Sequence, residues 1–216
     1  LASLFAARVS PSGVNVTMLG TWQEGLAALQ SHGVRVRGEN GESLVPVTAV
    51  SDAAGKGSFQ QALVLVKAWQ TARAAEQLKQ VLAPGGLALT LQNGLGNLEI
   101  LSSALGEERA ALGTTTTGAT LLGPGVVRPG GEGVITLGAH PRIEPMRRLL
   151  DRAGFAVKIS ADIQAVLWGK LVVNAAINPL TALLMIPNGD LLISDSSRRL
   201  MALAALEVQE VAVAKG

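Results

Sequence analysis

The chain has 216 residues, 48% of them apolar and 16% charged, with a formal charge of +2 and no cysteine. That is room for one substantial core, or one core and part of a second, and the composition excludes a disordered chain. Scattered Lys and Arg give no nucleic-acid footprint, and the lack of Cys removes disulfide and thiolate chemistry and agrees with a reducing compartment.

Leu1-Ala-Ser-Leu-Phe-Ala-Ala-Arg8 opens apolar at helical spacing, and Pro11-Ser-Gly13 turns it into a strand, Val14–Met18. A helix feeding a parallel-type strand at the first residue predicts a first strand and its turn upstream. In a dinucleotide fold that turn carries the glycine fingerprint. After the second strand, Leu19-Gly-Thr-Trp22 has neither the acid typical of NAD binding nor an Arg for the NADP phosphate, which leaves cofactor choice open. Gln23–Gln30 reads as a short helix ended by His32-Gly33. Val34–Arg37 and Leu44–Val47 flank Gly38-Glu-Asn-Gly41 as a hairpin, read as an edge insertion.

Ala62–Val66 is a continuous apolar run and predicts a buried parallel strand, with Lys67 at its carboxyl end and a helix over Thr71–Leu82. The pattern repeats in Gly86–Leu91, followed by Gln92-Asn-Gly-Leu-Gly96 and a helix over Leu98–Leu105, and again in Ala110–Thr117, followed by Gly118-Ala119. In open α/β sheets the carboxyl ends of the strands form the ligand edge, so Lys67, Asn93 and Gly118-Ala119 are expected to converge on one crevice. Gly123–Gly133 reads as a turn-rich return, Val134–Leu137 as a strand, Arg142–Ala153 as a helix and Phe155–Ile159 as the closing strand. From Ala161 the pattern is helical, with an interruption at Ile186-Pro-Asn-Gly189 and a cap near Ser194 or Asp195.

The stretch Leu167–Leu183 concentrates the chemistry. At about 100° per residue, Lys170, Asn174 and Asn178 at i, i+4 and i+8 share one helix face, which Thr181 nearly rejoins. Their neighbours are Leu, Val, Ala and Ile, so one ammonium and two carboxamides need a partner or the wall of a polar cavity. Such a cavity suits a small anionic, carbonyl-bearing molecule. Taken singly, each residue also fits a structural role, an Asn bonding a neighbouring helix or a Lys snorkelling to water. Pro179 within the stretch removes one helical hydrogen bond. His32 and His140 have no partner at metal-ligand spacing, which predicts no metal site and argues against a Ser-His-Asp hydrolase. No run reads as long and clean enough to span a bilayer, and no signal segment opens the chain, so the expected setting is cytoplasmic with no membrane partner.

Taken together, Leu65-Val-Lys-Ala-Trp-Gln70, Gln92-Asn-Gly-Leu-Gly96, Gly113-Thr-Thr-Thr116, Trp168-Gly-Lys-Leu171, Asn174-Ala-Ala-Ile-Asn-Pro-Leu-Thr-Ala182 and Pro187-Asn-Gly189 resemble the ketopantoate reductases (2-dehydropantoate 2-reductases). The Lys-x3-Asn-x3-Asn-Pro-Leu-Thr set is the specific part. The resemblance implies an α/β fold: a Rossmann-like, mostly parallel sheet domain over residues 1–160 lacking its first strand and Gly-rich turn, then the start of an all-helical substrate domain over 161–216. It implies NADPH-dependent reduction of ketopantoate to pantoate in pantothenate and coenzyme A synthesis. Lys170 would be catalytic; Asn93, Asn174, Asn178 and Asn188 would bind substrate; Lys67, Asn93 and Ala119 would contact the cofactor. The family's Arg after the second strand has no counterpart near Gly20-Thr21, so NADH stays open beside NADPH. The expected partner is a small 2-oxo acid, with no nucleic acid; a homodimer is compatible with this reading. The alternatives are a reductase of another 2-oxo acid or a cofactor-binding relative without turnover.

Overall fold

The computed structural model describes every residue except Asn40, Lys56 and Gly216, so the tip of the expected Gly38–Gly41 turn lies partly outside the described residues. The chain divides into two compact units, Leu1–Ile163 and Gln164–Gly216.

The first unit is α/β. In chain order it contains α1 (Ala2–Val9), β1 (Thr17–Leu19), α2 (Gln23–His32), β2 (Val34–Gly38), β3 (Gly41–Val45), β4 (Thr48–Val50) and β5 (Phe59–Val64). There follow α3 (Thr71–Val81), β6 (Leu82–Thr90), α4 (Asn97–Leu105), β7 (Ala110–Thr115), β8 (Ala119–Gly123), β9 (Val126–Pro129), β10 (Val134–Gly138), α5 (Glu144–Arg152) and β11 (Ala156–Ser160). The main sheet has the order β11-β10-β7-β6-β5, with β5, β6 and β7 mutually parallel, β10 antiparallel to β7, and β11 parallel to β10.

Its core follows the period of two along β6. Leu87, Leu89 and Leu91 point to one face and meet Phe5 and Val9 of α1, Met146 and Leu150 of α5, and Ile135 and Leu137 of β10. Ala88 points to the other face, where Ala75 of α3 and Leu101 and Leu105 of α4 cover it with Val64 and Ala110. This is the layering that a strand flanked by helices on both sides requires. Gly113 sits where β7 leaves no room for a side chain: a β-carbon there would come within 2.8 Å of Leu91 Cδ2 and 2.9 Å of the Thr136 carbonyl oxygen.

Several elements differ from the sequence reading. β6 starts at Leu82 instead of Gly86, because Leu82 pairs with Phe59 while Leu87 pairs with Gln61, and the residues between bulge out of register. Gly86 fills the bulge, since a β-carbon on it would lie 2.9 Å from the Phe59 carbonyl oxygen. The hairpin β2–β3 is no edge insertion on the main sheet. It belongs to a separate sheet of order β3-β2-β9-β8, in which β2 runs parallel to β9 and β8–β9 is a second hairpin, within the stretch read only as turns. The driving force is burial: Val34 and Val127 on this sheet close over Leu4, Ala6 and Ala7 of α1, with Leu26 and Leu29 of α2. β1 is shorter than expected and pairs parallel with β4, a strand with no periodicity of its own.

The second unit is helical, with α6 (Ile163–Leu184) entering from the first and α7 (Asp195–Lys215) following a short 3-10 turn, Asn188–Leu192. α6 ends in a left-handed residue, Met185 (φ 54°), with Ile186 N–H donating to the Thr181 carbonyl oxygen at 3.3 Å, a Schellman closure in which methionine occupies the place usual for glycine. Ser194 caps α7, its hydroxyl accepting from Ser197 N–H at 3.4 Å. By length and composition alone α6 is long and apolar enough to cross a membrane, contrary to the sequence reading, because the helix runs unbroken through Pro179 and joins two shorter apolar stretches. Its polar stripe sits in the middle of that length.

Candidate active site

In the first unit, three successive strands of the main sheet deliver candidate residues at the same edge. β5 ends at Val64 and leads to Lys67; β6 ends at Thr90 and leads to Asn93; β7 ends at Thr115 and leads to Ala119. Lys67 is exposed and opens a 3-10 turn, Ala68–Gln70, with its own N–H donating to Gln70 Oε1 at 3.3 Å and its carbonyl accepting from Gln70 N–H at 2.8 Å.

Asn93 is exposed, on a loop shaped by the left-handed glycines Gly94 (φ 87°) and Gly96 (φ 85°). Its neighbour Gln92 is buried and pins the loop. Gln92 Nε2 donates to the Val66 carbonyl oxygen at 2.8 Å and to Thr71 Oγ1 at 2.9 Å, while Gln92 Oε1 accepts from Thr90 Oγ1 at 3.0 Å. Thr71 Oγ1 also contacts Asn97 Oδ1 at 2.9 Å, and Asn97 Nδ2 donates to the Asn93 carbonyl oxygen at 3.2 Å. The sequence reading missed this network; its one signal is a Gln placed between an apolar strand and an Asn-Gly turn.

Ala119 is half-buried at the start of β8 and packs toward the α1–α2 cluster, so it offers backbone more than side chain. Next to it the backbone is tightly folded: Gly130 N–H donates to the Gly118 carbonyl oxygen at 2.9 Å, and a β-carbon on Gly133 would come within 2.2 Å of Thr117 N. The Thr117 hydroxyl is buried there with no hydrogen-bond partner. A concavity of about 380 Å³ beside Glu144, Pro145, Arg148 and Arg152 lies on α5, among ion-paired surface side chains, and includes none of the candidate residues.

In the second unit, Lys170, Asn174 and Asn178 fall on one unbroken helix, so their i, i+4, i+8 spacing places them on one face. Lys170 and Asn174 are half-buried and Asn178 is exposed. Burial lowers the proton affinity of the Lys170 ammonium below that of an ordinary lysine. Thr181 does not extend the stripe as a ligand group: its hydroxyl bonds back to the carbonyl oxygens of Ile177 (3.2 Å) and Asn178 (3.1 Å), beside the site where Pro179 has no N–H to give. Asn188 is exposed at the first position of the 3-10 turn, on a different element from the other asparagines. Among the described residues no group of three or more His, Asp or Glu side chains could hold a metal ion.

Comparison with known proteins agrees with this architecture. Residues 1–142 match the family described as ketopantoate reductase PanE/ApbA, and residues 162–216 match its C-terminal counterpart. The chain is 33% identical to a 2-dehydropantoate 2-reductase of Halobacterium salinarum, over 100% of this chain and 73% of the relative. It is 34% identical to one from Archaeoglobus fulgidus, over 98% and 76%. Among solved structures it is similar to a 2-dehydropantoate 2-reductase of Geobacter metallireducens (TM-score 0.89, 32% identity, 98% of this chain and 72% of that one). A D-mandelate dehydrogenase with NADH and anilino(oxo)acetate shares the fold (TM-score 0.91, 22% identity, 99% and 71%).

Proposed function

Because the chain belongs to the ketopantoate reductase family, we propose that it reduces 2-dehydropantoate to pantoate with NADPH, a cytoplasmic step toward pantothenate and coenzyme A. The observation that carries this reading is the half-buried Lys170 with Asn174 and Asn178 on the same face of a helix otherwise built largely from Leu, Val, Ala and Ile.

Reduction of a 2-oxo acid requires a proton for the oxygen that becomes an alkoxide and donors for the carboxylate. Lys170 meets the first need. Burial weakens its hold on the proton, so the ammonium polarises the carbonyl and gives up a proton more readily as negative charge builds there. Asn174, Asn178 and Asn188, with Asn93 at its strand end, orient the substrate through carboxamide N–H groups. Residues 1–160 serve as the dinucleotide-binding domain and 161–216 belong to the substrate domain. NADPH, when bound, supplies the hydride. The residues present suit its phosphates: Lys67 is exposed just past the carboxyl end of β5, and the Asn93 loop and the backbone at Ala119 follow on the neighbouring strand ends.

A second reading, an NADH-dependent reductase of another 2-oxo acid, stands beside the first on one observation: Gly20-Thr21-Trp22-Gln23 after β1 offers neither a cation for a 2′-phosphate nor an acid for a ribose hydroxyl, so the stretch does not select NADPH. Loss of NADPH absorbance with ketopantoate, set against NADH and against other 2-oxo acids, separates the two. Turnover that prefers NADH and ignores ketopantoate would replace the first reading with the second.

A further inference from the structure

The last ladder hydrogen bond between β5 and β6 is Leu91 N–H to the Val64 carbonyl oxygen, at 3.4 Å. Beyond it the two strands part, and their continuations carry Lys67 and Asn93. A parting pair of strands leaves backbone donors and acceptors that need partners, and loops there are free to move independently.

Here the gap is closed by side chains. Gln92, Thr71, Thr90 and Asn97 are each at most 6% exposed. Gln92 uses its whole carboxamide: both Nε2 hydrogens are donated, to Val66 O and Thr71 Oγ1, and Oε1 accepts from Thr90. Thr71 accepts from Gln92 and shares its single proton between the Ala68 carbonyl (2.8 Å) and Asn97 Oδ1 (2.9 Å). Asn97 then holds the carbonyl of Asn93. The chain of bonds runs from the residue before Lys67, through the first residues of α3 and α4, to Asn93 itself. A buried network in which nearly every donor and acceptor is used is rigid, because breaking one bond strands a polar group without water.

We infer that Gln92 is a positioning residue: with Thr71 and Asn97 it locks the Lys67 turn to the Asn93 loop, so that the two ligand-contacting groups are presented as one preorganised unit. The inference rests on the cofactor role proposed for Lys67 and Asn93. Preorganisation acts on binding, so loss of the pin appears in affinity for the dinucleotide, beyond any loss of stability.

The test is a double-mutant cycle on the full-length protein, reading the Kd for NADPH and for NADH by fluorescence titration, with melting temperature recorded in parallel. Gln92→Met removes the carboxamide at similar volume and is expected to weaken binding of the preferred dinucleotide about tenfold, with the steady-state effect mainly in cofactor KM. In a Lys67→Ala background the same change should add no more than about twofold, since the pin then has less to position. If Gln92→Met does not fold, Thr71→Val tests the same connection, and Thr71→Ser, which keeps the hydroxyl, should restore binding. Multiplicative effects in the cycle, or a lowered melting temperature with Kd within about twofold of wild type, would overturn the inference. Unchanged Kd in Lys67→Ala alone would instead remove the cofactor role of Lys67, and this inference with it.

Discussion

The indole of Trp22 lies so close to Gly25 that a β-carbon on Gly25 would come within 2.3 Å of Trp22 Cε3. Trp22 is the residue before α2 and is 45% exposed, so the ring covers the first turn of that helix instead of entering a core. Gly25→Ala therefore gains helix propensity, about 1 kcal/mol, and loses the seat of the indole. The ring should be displaced into solvent, seen as a red-shifted tryptophan emission relative to wild type. Trp22→Ala in the same chain should make Gly25→Ala stabilising; a Gly25→Ala protein with unchanged emission would contradict the contact.

Lys170 provides the sharpest separation of catalysis from packing. Lys170→Met should lower kcat by about 10²-fold or more, the scale of general acid catalysis, while leaving NADPH affinity nearly unchanged. Its folded-state proton affinity is lowered, so the folded protein binds that proton less tightly than the unfolded chain does. The resulting cost is present at neutral pH and is relieved as pH rises through the lowered value toward the ordinary lysine range. Lys170→Met should accordingly melt no lower than wild type near pH 7. In the wild type, kcat should fall as pH rises through the same lowered value. A variant that melts lower and keeps its turnover per folded molecule would make Lys170 a structural residue.

Asn178, exposed and one turn beyond Asn174, has the geometry of a ground-state contact. Asn178→Ala should raise the KM for the 2-oxo acid several-fold with kcat within about threefold of wild type, the signature of lost uniform binding. An equal fall in kcat and kcat/KM would assign Asn178 to the transition state.

Gly113 should tolerate no side chain. With Leu91 Cδ2 and the Thr136 carbonyl both under 3 Å from a β-carbon, Gly113→Ala is expected to cost about 1–3 kcal/mol. Gly123, with nothing within 4 Å and no positive φ, is the control and should change stability by less than about 0.5 kcal/mol. Urea denaturation of the two variants decides it.

Glu144 accepts from Arg147 at 2.8 and 2.9 Å and from Arg148 at 2.8 Å, which holds its carboxyl down at about 2. A depressed carboxylate contributes stability above its unfolded value, and that contribution is lost as pH falls toward about 2. The group is on the surface, so Glu144→Gln should lower the melting temperature only slightly at neutral pH. The difference should disappear in 1 M salt, at about a 3 Å screening length. A difference that persists in high salt would point to a role in packing.

The helical stripe is readable in the sequence because α6 stays a single helix through Pro179, so that counting residues is equivalent to measuring angles. The apolar runs leading into Val64 and Thr90 are readable for a similar reason, since strands covered on both faces need no polar alternation. β8 hides because Leu121 and Leu122 are both exposed, which erases the alternation a half-buried strand would show. The bulge in β6 and the pairing of β1 with β4 depend on register between distant segments, which local pattern does not encode. The Gln92 pin is concealed in the same way: its partners Thr71 and Val66 lie 21 and 26 residues away in sequence and meet it only once the strands are aligned.

Phe5 and Phe155 stack with ring centroids 4.4 Å apart, at opposite ends of the first unit's sequence, and the guanidinium of Arg8 lies 5.0 Å from the centre of the Phe155 ring. α1 also contributes residues to both the main-sheet core and the cluster beneath the second sheet. Through Phe5 and Val9 its core contacts are with segments distant in sequence. α1 is therefore secured only once β10, α5 and Phe155 have formed its other wall. Contacts of such long separation slow folding, because most of the loop entropy is lost before the contact repays it. The first unit is thus expected to close late and all at once, with a half-built sheet exposing its Leu87–Leu91 face in the interval.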